Sequence, residues 1–170
     1  MCSIFSIEMA KIVLYHGSNT KVENPQIING ARKLDFGSGF YTTSDKEQAS
    51  KWAKLKFLRF NTGEPFLNIY NFDEEKASSL KILNFDMPNK EWLNFVVENR
   101  KGLYNGELFD IVHGPVANDS TITVINSYIS KMIDENTAIA LLLPQKLKDQ
   151  YVFCTEKALS CLTFKEAIRL

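Results

Sequence analysis

The chain has 170 residues, 20 basic and 20 acidic side chains, no formal net charge and 45% hydrophobic residues. These values suit one folded domain and exclude a disordered or fibrous chain. The balanced charge disfavours general polyanion binding, and no apolar run approaches the roughly 18 residues that span a bilayer. Three unclustered cysteines, Cys2, Cys154 and Cys161, predict reduced thiols in a cytoplasmic protein, without a disulfide framework or a metal site.

The first elements follow from apolar runs and turn residues. Residues 1–10 are expected to be an N-terminal extension, and residues 11–170 a single domain. Residues 12–15 predict a strand that ends at a turn, His16-Gly17-Ser18. Residues 19–38 are rich in Asn, Pro and Gly without periodicity, which predicts a long loop of the kind that is often functional.

A strand and a helix are predicted next. Residues 40–43 are β-rich, and Ser44 with Glu47 matches a capping box that opens a helix. Helical spacing predicts one buried face, made of Ala49, Trp52, Ala53, Phe57 and Phe60.

The remaining elements give a mixed order. Strands are predicted at 66–72, 80–85, 109–112 and 150–154; helices at 90–100 after an Asn89 cap, at 120–133 and 136–143, and after Thr155. Residues 113–120 are predicted as loop. The order indicates an α+β domain, and it disfavours a doubly wound fold because strands and helices do not alternate cleanly.

Three features carry candidate chemistry. His16 ends a strand beside Gly17, so it either offers a ring nitrogen to a ligand hydroxyl or bonds to its own loop. Phe40 and Tyr41 follow two glycines and alternate sides on a strand, so one ring fits the core and the other fits either the core or a flat ligand. Gln150 opens an apolar strand, where it is either exposed or buried with a partner such as a ligand hydroxyl.

Together, "YHGS", "FGSGFYTTSDKEQASKWA" and a late strand that begins with Gln150 resemble the ADP-ribosyltransferase superfamily. More specifically, the chain looks like an uncharacterised bacterial branch of that superfamily, and the resemblance spans roughly residues 11–165, including "GPVAND" and "TEKAL". The resemblance implies an α+β fold with two antiparallel sheets that form an NAD cleft between flanking helices.

The resemblance also implies roles for individual residues. His16 would bond the adenosine-side ribose, Tyr41 would stack on nicotinamide, and the Gly17 backbone would hold the nicotinamide amide. Gln150 would bond the nicotinamide-ribose hydroxyl and steady the positive charge as nicotinamide leaves. Further NAD-binding residues by the same resemblance are Ser18, Phe36, Gly39 and Phe40.

The function implied is mono-ADP-ribosyl transfer, in which NAD is cleaved and ADP-ribose passes to a macromolecular acceptor, here expected to be a protein. The resemblance further implies a toxin-like bacterial effector in the cytoplasm, with a small neutralising partner protein and no membrane partner. NAD serves as co-substrate, and nothing implies a metal.

One departure leaves alternatives open. Arginine-modifying members carry Glu two residues after the position of Gln150, where this chain has Val152. Asp110, Asp119 and Glu156 are candidates for the missing charge, and Asp119 is the preferred catalytic candidate, with a helix N-cap as its alternative role. The chain is otherwise a weak or inactive NAD-binding module, an NAD glycohydrolase, or an enzyme acting on nucleic acid.

Overall fold

A computed structural model describes residues 11–29, 34–117 and 120–170. Its strands are β1 Ile12–Ser18, β2 Phe40–Thr42, β3 Phe66–Phe72, β4 Ile82–Asn84, β5 Ile111–Pro115, β6 Asp149–Phe153 and β7 Leu162–Arg169. Its helices are α1 Lys46–Phe60, α2 Glu74–Ala77, α3 Lys90–Lys101, α4 Ile122–Ile129, α5 Glu135–Leu142 and α6 Glu156–Leu159. The α+β class is therefore confirmed. The expected N-terminal extension lies outside the described residues.

The strands form two sheets, ordered β1-β3-β7 and β2-β6-β5-β4. The first sheet is antiparallel throughout. The second is mixed, because β4 pairs parallel to β5, so the expectation of two antiparallel sheets was wrong on this point. The reason lies in the connection: α3 carries the chain from β4 to β5, and a helical crossover returns the next strand in the same direction.

Aromatic and aliphatic side chains fill the space between the sheets. Leu14, Tyr70 and Phe72 of the first sheet pack with Phe40 and Phe153 of the second, and all five are buried. The sheets also meet through the main chain, where Tyr15 and Thr43 exchange two hydrogen bonds of 2.8 and 3.0 Å. This bridge fixes the C-terminal half of β1 beside β2.

The other face of the second sheet is covered by helices. As predicted, Asn89 caps α3 by accepting from the Trp92 amide. The inward positions Trp92, Leu93, Val96 and Val97 are buried, also as predicted. Trp92 donates its indole N–H to the Pro115 carbonyl over 2.9 Å, which ties α3 to the end of β5.

Helix α1 differs from expectation at its start and on its buried face. Asp45 caps it by accepting from the Gln48 amide, because Ser44 is held instead by the Asp149 carboxylate. Ala49 and Ala53 are buried as predicted, but Trp52 and Phe60 are 42% and 58% exposed. The small alanines let α1 lie close to β1, and this approach leaves no room for the larger rings beneath the helix.

Strands β1 and β5 both continue beyond the C-terminal ends predicted for them. Strand β1 continues through His16 and Gly17 to Ser18, because all three pair with β3. Residues 113–115, expected in a loop, extend β5 through its pairing with β6. Strand β7 was not predicted at all. Thr155 does cap α6 as expected, accepting from the Ala158 amide.

Candidate functional site

His16 lies in β1, where the two sheets meet. The imidazole is 7% exposed, and Nδ1 lies 2.6 Å from the Tyr41 carbonyl oxygen. Because a carbonyl only accepts, Nδ1 carries the proton and Nε2 is left as an acceptor. The ring also packs on Phe40, with centroids 4.4 Å apart. Of the two roles that the sequence leaves open for His16, a bond within its own loop is not found: the partner of Nδ1 is a strand of the other sheet.

The electrostatic surroundings keep His16 neutral. Burial, together with the positive charge of Lys56, lowers the pKa of His16 to about 4, although the bond to the Tyr41 carbonyl works in the opposite direction. A neutral ring whose only proton is engaged can accept a hydrogen bond from a ligand but cannot donate one. A ribose hydroxyl is a donor of this kind.

A cavity of about 200 Å³ opens beside His16. The loop after β1 supplies most of its wall, and it belongs to the long loop predicted at residues 19–38, a kind that is often functional. The polar lining includes His16, Ser18, Asn24, Gln26 and Lys56, and Phe40 adds an aromatic ring. The cavity thus joins three of the expected NAD-binding residues, His16, Ser18 and Phe40.

Two predicted glycines serve close packing. A Cβ on Gly17 would lie 2.0 Å from the Ala49 carbonyl oxygen and 2.7 Å from the Ala53 nitrogen, so this glycine lets β1 touch α1. A Cβ on Gly39 would lie 2.5 Å from a methyl carbon of Val152, so this glycine lets β2 begin against β6. Neither residue lines the His16 cavity.

The Tyr41 side chain lies on the opposite face of β2 from Phe40, against the helix-covered core. Its hydroxyl donates to the Gly37 carbonyl over 2.7 Å and accepts from the Phe36 amide over 3.1 Å. Burial raises the pKa of this hydroxyl, so it remains a donor at all ordinary pH values. Tyr41 therefore anchors residues 34–38, which we call the covering segment.

Phe36, in the covering segment, is 3% exposed and packs on the rings of Phe85 and Phe95. Its ring lies over Gly114, where an added Cβ would approach it to 3.3 Å. Gly114 pairs with Gln150. Phe36 thus covers the part of the second sheet where Gln150 lies, near the start of β6, and it does not reach the His16 cavity.

Gln150 shares a face of the sheet with Tyr41, because Tyr41 pairs with Val152 and side chains two residues apart on a strand point the same way. Gln150 is 5% exposed, which rules out the exposed strand-end reading. Its amide nitrogen Nε2 is buried and makes no hydrogen bond with any described residue. Unpartnered buried amides are uncommon and costly in folded proteins.

An ion pair that sequence reasoning missed lies beside this amide. Arg100 of α3 donates from Nε to Asp35 Oδ1 over 2.5 Å and from Nη2 to the Ala117 carbonyl over 3.2 Å. Burial raises the pKa of Asp35, opposed chiefly by Arg100 and more weakly by the nearby Gln150 amide. Nothing in the sequence pairs Asp35 with an arginine 65 positions away.

The other acidic candidates lie elsewhere or outside the described residues. Asp110 accepts from the Thr155 hydroxyl over 2.7 Å, and its carbonyl bonds the Cys154 amide, at the far end of β6 from Gln150. Gln150 and Cys154 are four positions apart along the strand, which corresponds to a distance of about 13 Å. Glu156 is in the first turn of α6, on the same far side. Asp119 lies outside the described residues.

Asp149 organises a polar cluster next to Gln150. Its carboxylate accepts from the Thr43 hydroxyl over 2.9 Å, the Ser44 amide over 2.9 Å and the Ser44 hydroxyl over 2.6 Å. Burial works against its ionisation, but the nearby His113 ring and the hydrogen bonds from Ser44 and Thr43 outweigh burial and lower the pKa of Asp149 to about 2. The cluster fixes the start of β6 to the turn between β2 and α1.

The family of proteins of unknown function DUF3990 matches residues 12–164, so the chain belongs to this family. No curated protein matches the chain.

Within the described ranges, no three His, Cys, Asp or Glu side chains lie close enough together to hold a metal ion. No helix in those ranges is long and apolar enough to cross a bilayer.

Proposed function

We propose that the protein is a mono-ADP-ribosyltransferase that cleaves NAD and transfers ADP-ribose to a protein acceptor. The observation that carries this proposal is the buried, unpartnered amide of Gln150 on the same sheet face as Tyr41. A fold keeps an unsatisfied buried amide at a cost in stability, and a ligand that completes its hydrogen bonding accounts for it.

His16 supports the same proposal from the other side of β2. Its neutral ring offers Nε2 as an acceptor at a cavity whose size suits part of a nucleotide and most of whose lining residues are polar. The bond from Nδ1 to the Tyr41 carbonyl links this acceptor to the strand that carries the Tyr41 ring. A dinucleotide has two riboses and a flat leaving group. One ribose can therefore bind at His16 while the other ribose and the leaving group bind at Gln150 and Tyr41.

In the proposed reaction, the glycosidic bond between nicotinamide and ribose breaks, and nicotinamide leaves with the bonding electron pair. The ribose carbon becomes oxocarbenium-like, and a nucleophile of the acceptor attacks it and loses a proton to solvent. Gln150 Oε1 accepts from the ribose hydroxyl and directs its dipole at the developing charge. A neutral amide stabilises this charge less than a carboxylate would, so turnover is expected to be slow.

Two observations favour a second candidate, an NAD-binding module without chemistry. Tyr41 and Gln150 do not line the His16 cavity, and the covering segment occupies the space above Gln150. If that segment stays closed when NAD binds, the ligand contacts only the residues of the His16 cavity and remains intact.

The test incubates the purified protein with NAD labelled on its adenylate part and with a bacterial lysate. Free nicotinamide is counted, and label is followed in protein, RNA and DNA fractions. We expect label in protein, lost in His16→Ala and Gln150→Met. Gln145→Met is the control, at a half-buried glutamine five positions earlier in the chain. Nicotinamide release without labelled macromolecule would indicate NAD hydrolysis, and NAD binding without release would establish the binding module.

The proposed toxin-like role and small neutralising partner rest on the resemblance alone. Labelling in the lysate names the acceptor class directly. Expression of the active chain and of Gln150→Met in bacteria tests toxicity, which we expect only for the active chain.

A further inference from the structure

Gln150 needs a defined orientation to act as proposed, because only one end of its amide can accept from a hydroxyl. We propose that Asp35 is a positioning residue that draws Gln150 Nε2 toward itself and so presents Oε1 to the ribose hydroxyl of NAD. This inference rests on the proposed function for its chemistry, but the contact between the two side chains can be tested without it.

The first support is the placement of the carboxylate. Asp35 belongs to the covering segment, its side chain is 14% exposed, and Arg100 holds it over 2.5 Å. Arg100 is fixed in turn by the Ala117 carbonyl. At the other end of the segment, the Tyr41 hydroxyl bonds Gly37 and Phe36. Its neighbour Phe36 lies over Gly114, the strand partner of Gln150. A carboxylate held at both sides in this way therefore stays at the part of the sheet where Gln150 lies.

The second support is the chemistry of the two groups. A carboxylate ion only accepts hydrogen bonds, so it attracts the NH₂ end of an amide and repels the oxygen end. Nε2 has no hydrogen bond in this structure, although the Asp35 carboxylate is near enough for the Gln150 amide to favour its charged form. Polar contacts of catalytic groups commonly shorten when substrate binds. The Asp35–Gln150 contact is expected to close when Oε1 engages the ligand.

The remaining carboxylates near β6 cannot do this. Asp149 is adjacent in sequence, but successive strand residues point to opposite faces, and its oxygens are held by Thr43 and Ser44. Asp110 lies at the opposite end of the strand. Of the described carboxylates, Asp35 is the one placed to orient Gln150.

The activity test changes both residues. In the wild-type background, Asp35→Asn should lower kcat for nicotinamide release about tenfold with little change in KM, because binding persists while the amide orientation is lost. In a Gln150→Glu background the same change should raise kcat, since Asp35 then repels the new carboxylate. A merely structural Asp35 would lower activity in both backgrounds, and that result would overturn the proposal.

A stability cycle tests the contact independently of activity. Urea unfolding midpoints are measured for wild type, Asp35→Asn, Gln150→Met and the double variant, with Asp35→Glu to retain the Arg100 pair if Asp35→Asn folds poorly. We expect non-additive shifts, because the two side chains interact. Additive shifts would overturn the inference. If the cycle shows coupling but no variant or wild type releases nicotinamide, the proposed function fails while the contact stands.

Discussion

The imidazole of His16 donates to the main-chain carbonyl of Tyr41 over 2.6 Å, and this bond connects a strand of one sheet to a strand of the other. It fixes the tautomer of the ring and, with burial, its charge state. The same contact therefore links the stability of the fold to pH.

We predict that acid destabilises the protein through His16. The folded pKa is lowered from 6.5 to about 4, so between these values the unfolded chain binds the proton that the folded chain does not. Stability should be retained above pH 6.5 and fall as pH decreases toward 4, by at most about 3 kcal/mol. Urea unfolding measured across this range should show that the free energy of unfolding of His16→Gln no longer falls with pH in this way. His113→Gln is the matched histidine control, and an equal loss of slope in both would contradict the assignment.

Gly17→Ala is predicted to destabilise the fold because the added methyl would lie 2.0 Å from the Ala49 carbonyl oxygen. Backbone must move to make room, and overpacking of this kind costs about 1–3 kcal/mol. Chemical denaturation measures the change. Gly106→Ala serves as the control, since its neighbours belong to the Tyr104 side chain, which can rotate away. Equal effects at the two glycines would show that β1 and α1 are not in close contact.

Tyr41→Phe should lower the free energy of unfolding by about 1–2 kcal/mol, because the Phe36 amide and the Gly37 carbonyl both lose a partner. The ring remains, so nicotinamide stacking in the proposed function is retained and KM for NAD should change little. Tyr104→Phe removes one bond in an exposed loop and is expected to have a smaller effect. If Tyr41→Phe leaves stability unchanged, the covering segment is not held by this hydroxyl.

Asp149→Asn should destabilise the protein at neutral pH by about 1–3 kcal/mol, since the carboxylate accepts hydrogen bonds from Thr43 and Ser44. The folded pKa is lowered from 3.8 to about 2, so this stabilisation is present above pH 3.8 and is lost as pH falls toward 2. The wild-type and variant unfolding curves should converge over that interval. Asp86→Asn, at an exposed position, is the control, and a constant difference down to pH 2 would contradict the predicted pKa.

Local sequence signals predicted the elements that depend on local chemistry. Strand Phe66–Phe72 follows from a largely apolar, β-prone run after a turn, and the start of α3 follows from the Asn89 cap; both are as expected. Strand Leu162–Arg169 was missed because it is an edge strand with charged residues on its exposed side, which weakens the apolar signal. The parallel pairing of β4 depends on the path of α3 and has no local signal.

The residues of the candidate site could be predicted from the sequence, but their arrangement in space could not. His16, Tyr41 and Gln150 were singled out because each is a polar or aromatic residue in or beside a predicted strand, and this can be seen without knowing any distant contact. That Tyr41 and Gln150 share a face depends on strand register, and the pairing of Asp35 with Arg100 depends on how α3 packs. Tertiary contacts of this range are set by the whole fold.

The covering segment has a kinetic consequence. It is tied by the Tyr41 hydroxyl at Gly37 and by Arg100 at Asp35, and its Phe36 ring lies over Gly114, the partner of Gln150. In the proposed function, a ligand reaches the Gln150 amide only in molecules where the Phe36 ring has moved away from Gly114, while Asp35 stays paired with Arg100. The rate of ligand capture should therefore stop rising at high ligand concentration and level off at the opening rate of the segment, which would set a ceiling on turnover whatever the speed of the chemical step.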